Sequence, residues 1–157
     1  METPTAWVIT VSDRCSAGEA EDRSGPAVAA LLEGAGFEVT GRHLIPDEVD
    51  EIRALLRKAD SDLVVTTGGT GLALRDVTPQ ATALEIDFEV PGLAEEMRRV
   101  GVASTPMAVL SRGIAGVKGR TLILNLPGSE RGATESLAAV LPVLAHALQQ
   151  LAGQTSH

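Results

Sequence analysis

The feature that most constrains this sequence is a repeated hand-off from a short apolar run to small or acidic polar residues. Trp7–Val11 runs into Ser12-Asp13, Phe37–Ile45 into Pro46-Asp47, and Leu63–Thr67 into Gly68-Gly69-Thr70-Gly71. Thr121–Leu124 runs into Asn125-Leu126-Pro127-Gly128-Ser129. The runs have strand length and β-branched content, and helical patterns separate them. Ser24, with Pro26 close behind, reads as the N-cap of a helix over Ala27–Glu33 that stops at Gly34 and Gly36. Asp47 reads as the cap of the next helix, with Asp50 in the capping-box position and Ile52, Leu55 and Leu56 on its apolar face. Thr78-Pro79 opens another helix and Leu93–Val100 forms a further one. Ala108–Ser111 reads as an extra strand, joined to Thr121–Leu124 through turns at Gly113, Gly116 and Gly119. The last helix follows Ser129 and is expected to kink or break at Pro142.

Strands alternating with helices predict an α/β domain: a three-layer sandwich whose mostly parallel central sheet is covered by helices on both faces. At 157 residues and 44% hydrophobic content, residues 1–157 suit one domain around one sheet. In such sheets ligands bind beyond the carboxyl ends of the strands. Four strand exits carrying Ser12, Asp13, Asp47, the glycine loop with Asp76, and Asn125 to Ser129 are therefore expected to converge on one edge.

Composition removes several chemistries. The aromatic residues are Trp7, Phe37 and Phe88, with no tyrosine, and the net charge is −8. Without stacking platforms, and with a charge that repels a phosphate backbone, nucleic-acid binding is excluded. Cys15 is the sole cysteine, so there is no disulfide framework or thiolate metal site. Cys15 also lacks a neighbouring histidine base, which argues against a nucleophilic role. His43, His146 and His157 are scattered and form no HExxH pair. Met1-Glu2-Thr3-Pro4 has neither a basic nor an apolar leader segment, and the uncharged tail from Ser136 is interrupted by Pro142, His146, Gln149 and Gln150. A cytoplasmic protein with no membrane span is expected.

The glycine loop leaves two readings open. Gly68, Gly69 and Gly71 would let backbone amides approach a phosphate, with Thr70 adding a hydroxyl, or they form a plain tight turn. The loop is not a Walker A, because the lysines are Lys58 and Lys118, and Leu74 stands where a dinucleotide fingerprint needs glycine or alanine. Asp76 adds a carboxylate of the kind that holds Mg²⁺ together with substrate phosphates. Arg75 and Arg112 are candidates to neutralise phosphate charge. Asp47 and Asp13 each keep a plainer alternative, a helix cap and a loop brace. Glu95-Glu96-Arg98-Arg99 reads as a solvated helix face.

Thr66-Thr67-Gly68-Gly69-Thr70-Gly71 followed by Arg75-Asp76-Val77-Thr78-Pro79 closely resembles the MogA/MoaB family of molybdenum cofactor biosynthesis. Val11-Ser12-Asp13-Arg14, Leu44-Ile45-Pro46-Asp47-Glu48, Glu89-Val90-Pro91-Gly92, Leu110-Ser111-Arg112 and Asn125-Leu126-Pro127-Gly128-Ser129 fit in the same order. The Arg-Asp-Val-Thr-Pro form resembles the molybdopterin adenylyltransferase branch. The resemblance implies Mg²⁺-dependent transfer of AMP from ATP to the terminal phosphate of molybdopterin, releasing pyrophosphate. By position it assigns Asp47 and Asp76 to catalysis and to Mg²⁺, and Gly68, Gly69, Thr70 and Gly71 to substrate binding. Ser12, Asp13, Ser111, Asn125, Pro127, Gly128 and Ser129 match positions lining the same pocket. It further implies a homotrimer and hand-over of the product to a molybdate-inserting enzyme. Glu130 departs from the family's pattern, in which proline often follows the Pro-Gly-Ser turn. The alternatives are a non-catalytic molybdopterin-binding or scaffold homologue and a nucleotide-binding α/β domain acting on another substrate.

Overall fold

Alternate residues of the first strand enter two different cores, which sets the architecture. Ala6 and Val8 join one apolar cluster, while Trp7, Ile9 and Val11 join a second on the opposite face. Leu63 and Val65 against Val64, and Leu122 and Leu124 against Ile123, split in the same way. A strand apolar on both sides needs a helical layer on each face.

The computed structural model describes residues 2–154. The elements run β1 (Thr5–Val11), α1 (Asp13–Ser16), α2 (Ser24–Gly34), β2 (Glu38–Ile45), α3 (Val49–Lys58) and β3 (Leu63–Thr67). They continue with α4 (Thr78–Glu85), β4 (Phe88–Glu89), α5 (Pro91–Ser104), a 3₁₀ turn (Pro106–Leu110), β5 (Ala115–Lys118), β6 (Thr121–Leu126) and α6 (Glu130–Leu151). The six-stranded sheet has the order β2-β1-β3-β6-β5-β4. Its first four strands are parallel, and β5 and β4 extend it in antiparallel fashion. Helices α2, α5 and α6 cover one face, with Val28, Leu32, Met97, Leu137, Val140 and Leu144 in that core. Helices α3 and α4 cover the other through Ile52, Leu56 and Ala81. This is the expected three-layer, mostly parallel α/β sandwich. Among the described residues no helix is long and apolar enough to cross a membrane.

Four local expectations are corrected. Ala108–Ser111 is not a strand; Thr105 Oγ1 accepts from the Met107 N–H at 3.3 Å, and Pro106 starts the 3₁₀ turn. The strand beside β6 is instead β5, where Gly116 is required because a Cβ would stand 2.6 Å from Ile86 and 2.8 Å from the Phe88 carbonyl oxygen. Ser24 is the first helical residue rather than the cap; the Gly25 N–H is satisfied by Asp22 Oδ1 at 3.0 Å. Pro142 does not break α6, which runs unbroken because the burial of Leu137, Val140, Leu144 and Leu148 on one face holds it together across the exposed proline.

Candidate active site

The parallel strands β2, β1, β3 and β6 all end on one side of the sheet, and their exits meet there. Ser12, after β1, caps the short α1 through Oγ, which accepts from the Cys15 N–H at 3.1 Å. That turn brings Asp13 against Asp47, which follows β2. Each donates its backbone N–H to the other's carboxylate: Asp13 N–H to Asp47 Oδ2 and Asp47 N–H to Asp13 Oδ1, both at 2.9 Å. Asp47 is therefore not a helix cap. Residue Glu48 fills that position without a side-chain cap bond, and the Asp47 carboxylate serves the β1 exit instead.

The glycine loop leaves β3 in a conformation other residues resist. Gly68 and Gly69 have φ of +102° and +70°. A Cβ on Gly68 would overlap the Val11 carbonyl, and one on Gly71 would stand 2.9 Å from Asp76 Oδ2. The Gly68 N–H does not face a ligand, since it donates to the Leu126 carbonyl at 3.1 Å and ties the loop to β6. Thr78 returns the loop to α4, its N–H donating to Gly69 O at 3.1 Å and its hydroxyl to Gly68 O at 3.0 Å. Asp76 is held by the Ala73 N–H, which donates to Oδ2 at 3.0 Å.

Asp47 carries the site's unsatisfied charge. Its Oδ1 is buried and has no hydrogen-bond partner among the described residues. Burial pushes its pKa above the ordinary carboxylate value, and the nearby charges of Asp13 and Asp76 push the same way. The bond from the Asp13 N–H and the charge of Arg75 oppose that rise. Asp13 is held low, chiefly by hydrogen bonds from Arg75 and then by the Asp47 N–H.

The sequence-predicted residues divide between two cavities on either side of the glycine loop. A polar cavity of about 560 Å³ is lined by Ser12, Asp13, Asp47, Gly68, Gly69, Asp76 and Gly128. A more apolar cavity of about 330 Å³ is lined by Thr70, Gly71, Ser111, Asn125, Pro127 and Ser129, with Ala94, Met97, Met107, Ala108 and Leu110 supplying its greasy wall. Asn125 is a buried strut as well as a wall. Its Nδ2 donates to the Thr66 and Thr82 hydroxyls at 3.1 Å, and its Oδ1 accepts from the Ile114 N–H at 3.2 Å. Ser129 Oγ caps α6 by accepting from the Gly132 N–H at 3.0 Å. Glu130 and Cys15 lie on the wall of the polar cavity.

Both arginines singled out for phosphate are engaged with protein. Arg112 donates to Gly71 O at 2.8 Å and Asp76 O at 2.7 Å, bracing the loop from outside. Arg75 is paired with Asp13 and Glu48 at 3.0 and 2.9 Å. Arg98 is not simply solvated; it donates to Gly113 O at 2.7 Å at the edge of the apolar cavity. Sequence reasoning also missed Asp22, whose Oδ2 accepts from the Thr10 hydroxyl at 2.8 Å inside the polar cavity. Its place three residues before Gly25 was the available signal, hidden by the neighbouring Ser24.

Known proteins share this fold and much of this sequence. The family model described as "Probable molybdopterin binding domain" matches residues 7–146. The molybdopterin adenylyltransferase of Helicobacter pylori strain J99 is 40% identical over 159 residues, covering 98% of this chain and 90% of that protein. The molybdenum cofactor synthesis protein cinnamon of Drosophila melanogaster is 40% identical over 162 residues; 99% of this chain aligns, spanning 27% of the fly protein. The crystal structure of the molybdopterin biosynthesis enzyme MoaB from Thermus thermophilus superposes with a TM-score of 0.90 at 55% identity, covering 96% of this chain and 97% of that one. With a family match over most of its length and relatives that align nearly end to end, the chain belongs to the molybdopterin-binding domain family of molybdenum cofactor biosynthesis proteins.

Proposed function

We propose that this chain is a molybdopterin adenylyltransferase that transfers AMP from ATP to the terminal phosphate of molybdopterin and releases pyrophosphate, with Mg²⁺ assisting. The observation that carries this reading is Asp47 Oδ1, buried without a hydrogen-bond partner among the described residues, in a cavity that also holds Asp76 and the glycine loop. A buried carboxylate oxygen lacking a donor calls for a cation. Among the described residues no three His, Cys, Asp or Glu side chains group to hold a metal by themselves. A pair of acids sharing an ion with substrate phosphates suits Mg²⁺. Asp47 and Asp76 would hold it, and its chemistry there would be neutralisation of phosphate charge.

An oxygen of the molybdopterin phosphate attacks the α-phosphorus of ATP. A new phosphorus–oxygen bond forms while the bond to the β-phosphate breaks, and pyrophosphate carries away the electron pair. The substrate is itself the nucleophile, so the protein's part is placement and charge balance. The missing side chains at Gly69 and Gly71 let the loop pack directly against the Asp47 and Asp76 carboxylates, which brings the loop and both acids to the place where phosphate would bind. Thr70, Ser111, Pro127 and Ser129 wall the apolar cavity, whose size and lining suit a planar ring system. Ser12, Asp13 and Gly128 close the polar cavity.

The same reading carries a cytoplasmic homotrimer that passes its product to a molybdate-inserting enzyme. Met107, Val109 and Leu110 on the 3₁₀ turn are exposed and give assembly an apolar surface, whereas the apolar stripe of α6 is already buried in the core. Light scattering should give three times the chain mass of 16.3 kDa.

The direct test is to add ATP, MgCl₂ and molybdopterin to the purified chain and follow pyrophosphate. Release that requires molybdopterin is expected. Molybdopterin binding without release would establish the scaffold alternative, and release from ATP alone would point to another substrate.

A further inference from the structure

Arg75, on the loop after β3, lines neither cavity, and it joins groups from the exits of β1 and β2. Its Nε donates to Asp13 Oδ2 at 3.0 Å. Its Nη2 donates to Asp13 Oδ1 at 3.0 Å and to Glu48 Oε1 at 2.9 Å. Asp13 is in turn locked to Asp47 by the two reciprocal backbone bonds, both 2.9 Å. Glu48, Arg75, Asp13 and Asp47 thus form one connected chain that uses Asp47 Oδ2 and leaves Oδ1 as the free acceptor. Like charges at Asp13 and Asp47 repel, and a guanidinium that grips both oxygens of one carboxylate offsets that repulsion with a fixed geometry.

We propose that Arg75 is a positioning residue of the adenylyl-transfer site: by clamping Asp13 to Glu48 it fixes the direction in which Asp47 presents Oδ1. The proposal rests on the reading of Asp47 as the functional acid. It differs from a role for Arg75 as a phosphate ligand, because every guanidinium bond it makes goes to a carboxylate and its side chain lines neither cavity. Glu48, half-exposed at 50% and also outside both cavities, separates the two roles. Removing its charge loosens a clamp, but it frees a phosphate ligand to bind ATP more tightly.

The test combines steady-state kinetics with amide exchange on the ligand-free protein. Misplacing a reacting group by a fraction of an ångström costs turnover more than binding, so R75Q should lower kcat about tenfold with KM for ATP within about twofold. E48Q should lower kcat about threefold with KM unchanged, and R75K should recover part of the R75Q loss. In R75Q the amides of Asp13 and Asp47 should exchange about tenfold faster, while those of Val64 and Val65 in β3 stay protected. A fall in KM for ATP in E48Q, a raised KM with normal kcat in R75Q, or unchanged exchange at Asp13 and Asp47 would each overturn the clamp. E48Q, a surface change, keeps the test open if R75Q does not fold. Full turnover in D47N would instead defeat the assignment of Asp47, and the exchange measurement would still read the clamp by itself.

Discussion

A Cβ on Gly69 would stand 3.0 Å from Asp47 Oδ1, so the loop after β3 and the acid after β2 share one small space. The same Cβ would overlap the Thr78 hydroxyl, and Gly69 has φ of +70°. Gly69→Ala should therefore cost about 1–2 kcal/mol of stability from the left-handed backbone and the crowding. It should also lower turnover about tenfold or more by displacing the Asp47 carboxylate. Gly119→Ala is the matched control. It has φ of +61° with nothing within 4 Å of the added carbon, far from the site, and should lose stability alone. Urea denaturation with turnover on both variants checks this. Wild-type turnover in Gly69→Ala would show that Asp47 does not need the space.

Asp47→Asn keeps an oxygen able to accept the Asp13 N–H, and Asp76→Asn keeps one able to accept the Ala73 N–H. Both variants should fold with melting temperatures close to wild type. If these acids hold the cation and substrate phosphates as proposed, losing one negative charge should reduce AMP transfer by about a hundredfold or more. Calorimetric titration with ATP, with and without Mg²⁺, should show weakened metal-dependent binding in both. Near-normal turnover in either variant removes that acid from the mechanism.

The parallel half of the sheet is readable from sequence because its strands are continuous apolar runs with turn residues at their carboxyl ends. That pattern also placed the candidate residues on one edge. What sequence does not reveal depends on contacts between distant segments. Asp47 has the residue type and position of a helix cap, and only Asp13, 34 residues away, turns its carboxylate elsewhere. Gly116 looks like a turn glycine, yet it lies within β5 because Ile86 and Phe88 press against it. Arg75 and Arg112 look like free cations until the loop closes and supplies acceptors. The division of the predicted residues between two cavities is likewise a property of the folded loop, since Gly69 and Thr70 are sequence neighbours on different walls.

Arg112 supports the loop by gripping three acceptors at once: Gly71 O at 2.8 Å, Asp76 O at 2.7 Å and Gln80 Oε1 at 3.2 Å. Its own N–H also donates to Thr70 O at 2.8 Å, a bond any substitution but proline retains. Arg112→Ala should cost about 1–3 kcal/mol, since charge-assisted bonds to carbonyls are lost. Amides from Gly71 to Asp76 should exchange faster while the β1 and β3 amides do not. A lysine cannot reproduce the planar fork, so Arg112→Lys should restore less than half of the lost protection. Full restoration by lysine would mean that charge alone holds the loop.

Glu85 ties α4 to α3 beneath the site and gives stability a defined pH dependence. Its side chain is 5% exposed, and it accepts from Arg53 Nε at 2.7 Å and Arg57 Nε at 3.0 Å. Burial pushes its pKa up, but the hydrogen bonds and charges of the two arginines outweigh that and hold it below the ordinary value of 4.5. The unfolded chain therefore takes up this proton before the folded one does. The stabilisation is complete above the unfolded value and is lost as pH falls through the lower folded value. Glu85→Gln should destabilise by about 1–3 kcal/mol at neutral pH, because two guanidinium groups lose their counter-charge. The gap between wild type and variant should narrow as pH falls below 4.5 and through the lowered folded value, where the wild-type carboxyl also becomes neutral. Denaturant melts at several pH values measure that gap directly, and a gap that stays constant to low pH would mean that shape rather than charge joins the two helices.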